Sequence, residues 1–99
     1  KPTCSNSEVK LIDGASGKTY VVLSIMICET AGAAETFDLY IDNDDGGTDN
    51  YIYKTQAIGA NETFEHTTKL VLEANDMLGI ITASAADLDV VVSYLEQTL

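Results

Sequence analysis

Alternating apolar and polar positions run along most of the chain, and they predict β-strands rather than helices. The clearest alternation is TFDLYID at 36–42, where Phe37, Leu39 and Ile41 are expected to face the core, with Asp38 and Tyr40 facing outward. Similar segments follow at 51–58, 63–72, 77–84 and 88–96, with turn signals between them. We predict an all-β fold, an antiparallel and jelly-roll-like β-sandwich of roughly seven to eight short strands.

The strand KTYVVLSIMICE at 18–29 is apolar on both of its faces. A strand of this kind is expected to be covered on both sides. Strict alternation assigns the branched residues at odd positions to the core and leaves the even positions for a subunit neighbour. The predicted interface is therefore Tyr20, Val22, Met26 and Cys28.

The chain has 99 residues, which fits a single domain. We divide it into an N-terminal arm with a first short strand at 1–15 and the β-sandwich at 16–99. The first eight residues, KPTCSNSE, are polar. An ordered polar arm usually lies against something, so we expect it to contribute to attachment.

The net charge of the chain excludes some classes of binding partner. Sixteen acidic residues against five basic ones give a net charge of −11. Phosphate backbones and anionic membrane surfaces should repel such a chain, so we expect neither nucleic acid nor membrane as a partner. The sequence contains neither an apolar run long enough to span a bilayer nor a recognisable signal peptide.

The acidic stretch DNDDGGTDN at 42–50 raises the question of a metal site. Counted from Asp42, the fifth position is Gly46 and the twelfth is Tyr53, so the order of ligands in an EF-hand is absent. A looser calcium site remains an alternative to the hydrated hairpin tip that we favour. Its candidate ligands are Asp42, Asp44, Asp45 and Asp49.

Catalytic motifs are missing from the sequence. His66 is the single histidine, and no nucleophile or metal-binding motif accompanies it, so we interpret it as a surface or interface residue. We predict no enzymatic activity and no cofactor. Cys4 and Cys28 are predicted to be free thiols, with a bridge between them as the alternative.

Two long passages combine strand patterns and turns in a recognisable order. The first, at 16–41, joins the opener SGKTY, the apolar VVLSIMIC, a turn of small residues and the strand ETFDLYI. The second, at 51–96, contains ANETFE, LVLEAND and the closing strand LDVVVSYLE. Together they resemble small all-β virion structural proteins of tailed bacteriophages. The arm and the acidic hairpin tip depart from the pattern of that family.

The resemblance implies a structural role in the virion, assembled in the bacterial cytoplasm. The expected function is capsid decoration (cement), in which a homotrimer stabilises the head through contacts with the major capsid protein. A tail, fibre or baseplate-associated module is the alternative, and a secreted glycan- or calcium-binding domain is a further one. A reducing cytoplasm would also favour free Cys4 and Cys28.

Overall fold

The computed structural model describes residues 3–4, 8–14, 16–42, 49–83 and 88–98. Within these ranges the chain forms strands that pair in antiparallel fashion. The strands are β1 (Thr3–Cys4), β2 (Val9–Asp13), β3 (Lys18–Glu29), β4 (Glu35–Asp42), β5 (Asp49–Ile58), β6 (Thr63–His66), β7 (Leu70–Leu72), β8 (Met77–Thr82) and β9 (Leu88–Thr98).

The strands form two sheets that pack face to face. Sheet A has the order β1-β9-β3-β6, with β7 also paired to β3, and sheet B has the order β2-β8-β4-β5. Because β6 and β7 lie end to end along the same edge of β3, sheet A is four strand positions wide. The predicted all-β, antiparallel sandwich is therefore confirmed.

The core lies between the inner faces of the two sheets. Sheet A contributes Val22, Ile25 and Ile27 of β3, and sheet B contributes Leu39 of β4 and Ile80 of β8; each of these side chains is fully buried. Branched and aromatic residues suit this position, because strands expose alternate side chains to one face. Removing this apolar surface from water is the main force that holds the sheets together.

The predicted N-terminal arm contributes to both sheets. Backbone pairing places Thr3 opposite Asp89 in sheet A, whereas β2 pairs with β8 in sheet B. Just before β2, the Glu8 carboxylate accepts a hydrogen bond from the Tyr40 hydroxyl on the outer face of sheet B. The start of the chain is thus built into the sandwich as far as the structure describes it.

Tyr40 lies on the outward face of β4, as predicted, but it is only 1% exposed. Its ring lies over Gly79 of β8, where an added Cβ would come within 2.9 Å of the tyrosine Cζ. The ring of Tyr51 packs beside it, with centroids 5.6 Å apart. The missing glycine side chain makes room for the ring, which is why an outward-facing tyrosine becomes buried.

Strand β5 is an irregular edge strand. Thr55 has a φ of 53°, in the left-handed region that a β-branched residue rarely adopts. The register against β4 shifts here, and the Asp38 carboxylate binds the irregular segment by accepting the Thr55 N–H at 2.7 Å. Lys54 lies 3.4 Å from the same carboxylate, which raises the pKa of the lysine.

The strain at Thr55 gives a first prediction. We expect Thr55→Gly to stabilise the fold by about 0.5–1 kcal/mol, because relief of the left-handed strain exceeds the entropic disadvantage of glycine. The matched control is Thr63→Gly in the regular strand β6, which should destabilise by about 1 kcal/mol. Urea denaturation measures both, and a loss of stability in both variants would contradict the assignment of strain to Thr55.

Candidate functional site

The outer face of sheet A carries an exposed apolar surface, which we name the outer patch. Exposure reaches 43% at Met26, 57% at Val71, 56% at Val91 and 60% at Leu95. Strand pairing places Val71 and Leu95 on either side of Val21, and Val91 opposite Met26. The members of the outer patch are Val21, Leu23, Met26, Val71, Val91 and Leu95.

An extra residue in β3 determines which side chains reach the outer patch. The register against β9 runs Val22↔Tyr94 and then Ser24↔Ser93, so Leu23 is the residue inserted into β3. Such a β-bulge shifts the alternation by one position and exchanges the two faces beyond it. Before the bulge even positions face the core, and after it odd positions do.

The predicted interface set is therefore divided between the two faces, and the expectation that its members share one face is wrong. Tyr20 and Val22 are buried in the core. Met26 lies on the outer face, and Cys28 is half-buried on that same face. The odd-numbered Leu23, which alternation assigned to the core, is 38% exposed.

Two carboxylates lie beside the outer patch. Glu65 is opposite Met26, and Asp89 is opposite Cys28, so both side chains project from the outer face of sheet A. Among the strand residues that the structure describes on this face, no lysine or arginine offsets them. The surface therefore combines an apolar centre with negative charge at one end.

His66 lies in the interior between the sheets and not at the surface, so the interpretation as a surface or interface residue is corrected. It is 6% exposed, and its Nδ1 lies 2.9 Å from the Tyr53 hydroxyl. Tyr53 belongs to β5 of sheet B and His66 to β6 of sheet A, so this contact joins the two sheets. Phe64 packs edge-on against the Tyr53 ring with centroids 4.9 Å apart.

The other ring nitrogen of His66, Nε2, is buried and has no hydrogen-bond partner among the described residues. A neutral imidazole carries one donor and one acceptor nitrogen, so only one of its two hydrogen-bonding groups is used here. The rings of Phe37 and Phe64 pack against Tyr53, and the imidazole is almost fully buried. The contact is suited to fixing the spacing of the two sheets.

Glu29 joins the two chain crossovers at one end of the sandwich. Its carboxylate accepts backbone N–H groups from Ala31 and Gly32 after β3, and from Asn61 after β5, each at 2.9 Å. The Asn61 bond is the largest cause of a pKa below the ordinary glutamate value, and burial opposes it. An acceptor of three N–H groups is strongest when ionised, so this carboxylate is held in its charged form.

The calcium candidates lie mostly outside the described residues. Asp44 and Asp45 belong to the undescribed loop at 43–48, and the side chain of Asp49 is likewise not described. Asp42 ends β4, where its backbone pairs with Asp49. Its side chain is largely buried, in contrast to the hydrated position we expected. No group of three or more metal-binding side chains comes together in the described parts of the chain.

Cys28 is a free thiol in the structure, as predicted. The corresponding prediction for Cys4 lies outside the described side chains. In the described ranges no helix has the length and apolar character needed to cross a bilayer. Comparisons with family models, curated proteins and solved structures find nothing that matches this chain.

Of the six members of the outer patch, sequence reasoning predicted Met26 alone. It assigned Val21 and Leu23 to the core and missed Val71, Val91 and Leu95 on the neighbouring strands. A signal for two of them is present in LDVVVSYLE, where Leu88, Val90 and Val92 fill one face. Val91 and Leu95 are also apolar, but they occupy odd-numbered positions and so face the other side of the strand. This pattern indicates a second apolar face. Val71 has no comparable signal because β7 has only three residues.

The contact between the sheets generates a second prediction. We expect Tyr53→Phe to lower the free energy of unfolding by about 1–2 kcal/mol, because it leaves the buried Nδ1 of His66 without its partner. Tyr94→Phe is the control, since this exposed tyrosine should change stability by less than about 0.5 kcal/mol. Equal effects in chemical denaturation would show that the Tyr53 hydroxyl does not stabilise the sandwich.

A third prediction concerns Glu29 and acid. Its lowered folded-state pKa contributes stability above the unfolded-state value of about 4.3, and this contribution is lost as pH falls further. Glu29→Gln should therefore melt at a lower temperature at neutral pH, and the difference from the parent chain should shrink below about pH 4. Thermal melts from pH 7 to 3 measure this, and a pH-independent difference would exclude ionisation as the cause.

Proposed function

We propose that this chain is a non-enzymatic virion structural protein that decorates the phage capsid through protein–protein contacts. The observation that carries the proposal is the outer patch, with exposed apolar side chains on three neighbouring strands of one sheet. Isolated apolar residues at a surface need no explanation, whereas a contiguous group indicates an interaction site. The resemblance to virion proteins is the reason for placing this interaction site in a phage particle.

The position of the outer patch supports docking onto a firm partner surface. Its centre lies on β3 and β9, the two longest strands, which pair along almost their whole length. A continuous antiparallel ladder loses little backbone freedom on binding, because the backbone that presents the side chains is already ordered. A preformed surface of this type suits permanent attachment to a regular shell.

The order of the strands also favours the proposal. With β6 and β7 taken as one strand, the orders β1-β9-β3-β6 and β2-β8-β4-β5 agree with those of a jelly roll. We therefore propose a jelly-roll topology for the sandwich. Jelly rolls occur in viral capsid proteins and also in lectins, so this agreement supports a structural role by analogy alone.

The charges beside the outer patch define the kind of partner surface that the patch would fit. Glu65 and Asp89 at one end of the patch call for lysine or arginine at the matching positions of the partner. The net charge of −11 adds long-range attraction to a basic shell surface. We therefore propose a capsid surface with an apolar centre and basic residues at its rim.

Binding to capsid shells tests this role and gives a fourth prediction. The shells are assembled from the major capsid protein of the genome that encodes the chain, and co-sedimentation measures binding. We expect the parent chain to bind and Met26→Lys to weaken binding by on the order of a hundredfold, because it places a charge in the apolar centre. Ala57→Lys, an exposed change on sheet B, should bind like the parent chain.

Binding to purified tails instead of shells would favour the tail, fibre or baseplate alternative. Absence of binding to either would overturn the virion role, provided that the chain is folded by circular dichroism. Equal loss in the Met26→Lys and Ala57→Lys variants would show that the outer patch is not the contact surface. A homotrimer is the oligomer implied by the resemblance, and we propose it for this chain.

A further inference from the structure

Two carboxylates are buried at the same end of the sandwich, and their surroundings differ. Glu29 ends β3 in sheet A and is 1% exposed, whereas Glu35 begins β4 in sheet B and is 8% exposed. Glu29 accepts three backbone N–H groups. Glu35 accepts one, from Thr36, with 3.1 Å between the amide nitrogen and Oε1. Glu35 is therefore the less satisfied of the two.

The carboxylate of Glu35 has acceptor positions to spare. A carboxylate offers about four of them, and no described residue apart from Thr36 donates to this one or forms an ion pair with it. The lysines that the structure shows in ion pairs, Lys10, Lys18 and Lys54, are bound to other carboxylates. Burying a charged group is costly unless it is paired, so a cation from outside the chain would find an acceptor here.

An open hollow in sheet B lies beside this carboxylate, and we name it the β4–β5 hollow. Its volume of about 340 Å³ falls at the lower end of the range for small-ligand pockets, about 300–1,000 Å³. Most of its lining is small or apolar, as is usual for such pockets. The lining residues come from the start of β4 and the end of β5, and they are Ala34, Glu35, Thr36, Ala57, Ile58 and Gly59.

We propose that the β4–β5 hollow binds an alkylammonium cation, with the ammonium group at the Glu35 carboxylate and the alkyl chain along Ala57 and Ile58. An alkyl chain with one charged end matches an apolar surface with one carboxylate, as a lysine side chain does when its stem lies along apolar groups. A lysine of a partner chain or a free alkylamine supplies this group. The hollow belongs to sheet B and the outer patch to sheet A, so the proposal does not depend on the virion role.

The hydrogen bond from Thr36 favours ammonium over guanidinium. It occupies Oε1 of Glu35 and leaves Oε2 without a donor among the described residues. A guanidinium binds a carboxylate best through two parallel N–H donors, which need both oxygens, whereas an ammonium is a compact donor that needs one. The net charge of −11 also raises the concentration of any cation near the surface.

Titration of the folded chain with n-butylammonium chloride, followed in amide NMR spectra, tests the proposal. We expect saturable shifts at Thr36, Ala57 and Gly59, with a dissociation constant on the order of 10 mM, because so small a ligand makes few contacts. n-Butanol has a similar shape without the charge, and ammonium chloride has the charge without the alkyl chain. Each should bind on the order of tenfold more weakly than n-butylammonium, because each lacks one of the two contacts.

Two variants locate the site. Glu35→Gln keeps the shape of the side chain and removes its charge, so it should weaken binding on the order of tenfold. The matched control is Glu65→Gln, which makes the same change to an exposed carboxylate of sheet A and should bind like the parent chain. Ala57→Leu keeps Glu35 and fills the hollow from an exposed position, so it should abolish binding in a chain that circular dichroism shows to be folded.

A second ligand distinguishes the two sources of the cation. If Nα-acetyl-lysine N-methylamide shifts the same signals as n-butylammonium, the hollow accepts the lysine of a partner chain; if only n-butylammonium does, the hollow is a site for a free amine. Absence of saturable shifts at the hollow would overturn the proposal. Equal weakening in Glu35→Gln and Glu65→Gln, or tighter binding of n-butylguanidinium, would overturn it as well.

Discussion

The pairing of β3 with β9, with one residue inserted at Leu23, is the constraint on which the rest of the structure depends. The two strands pair from Lys18↔Thr98 to Glu29↔Leu88 and form the centre of sheet A. Without the insertion, Val22 and Ile25 could not both face the core, since they are three positions apart. The bulge therefore reconciles two apolar half-strands whose patterns are out of phase.

The same insertion creates the outer patch. It brings Met26 to the outer face, where Val21 and Leu23 already lie because they precede the change of face. Apolar residues at odd and at even positions of β3 are then both accommodated, some in the core and some on the outer face. The remaining irregularities have different causes: Asp38 compensates for the left-handed Thr55, and Glu29 binds the crossovers after β3 and β5. In both places a carboxylate accepts hydrogen bonds from backbone N–H groups that lie in strained or buried segments.

The sequence predicts the all-β sandwich because strand alternation and turn residues are local properties. It does not predict the division of Tyr20, Val22, Met26 and Cys28 between two faces, since a bulge is defined by the partner strand. The burial of Tyr40 depends on Gly79 and Glu8, which lie far from it in sequence. His66 is buried for a similar reason, because its partner Tyr53 belongs to the other sheet.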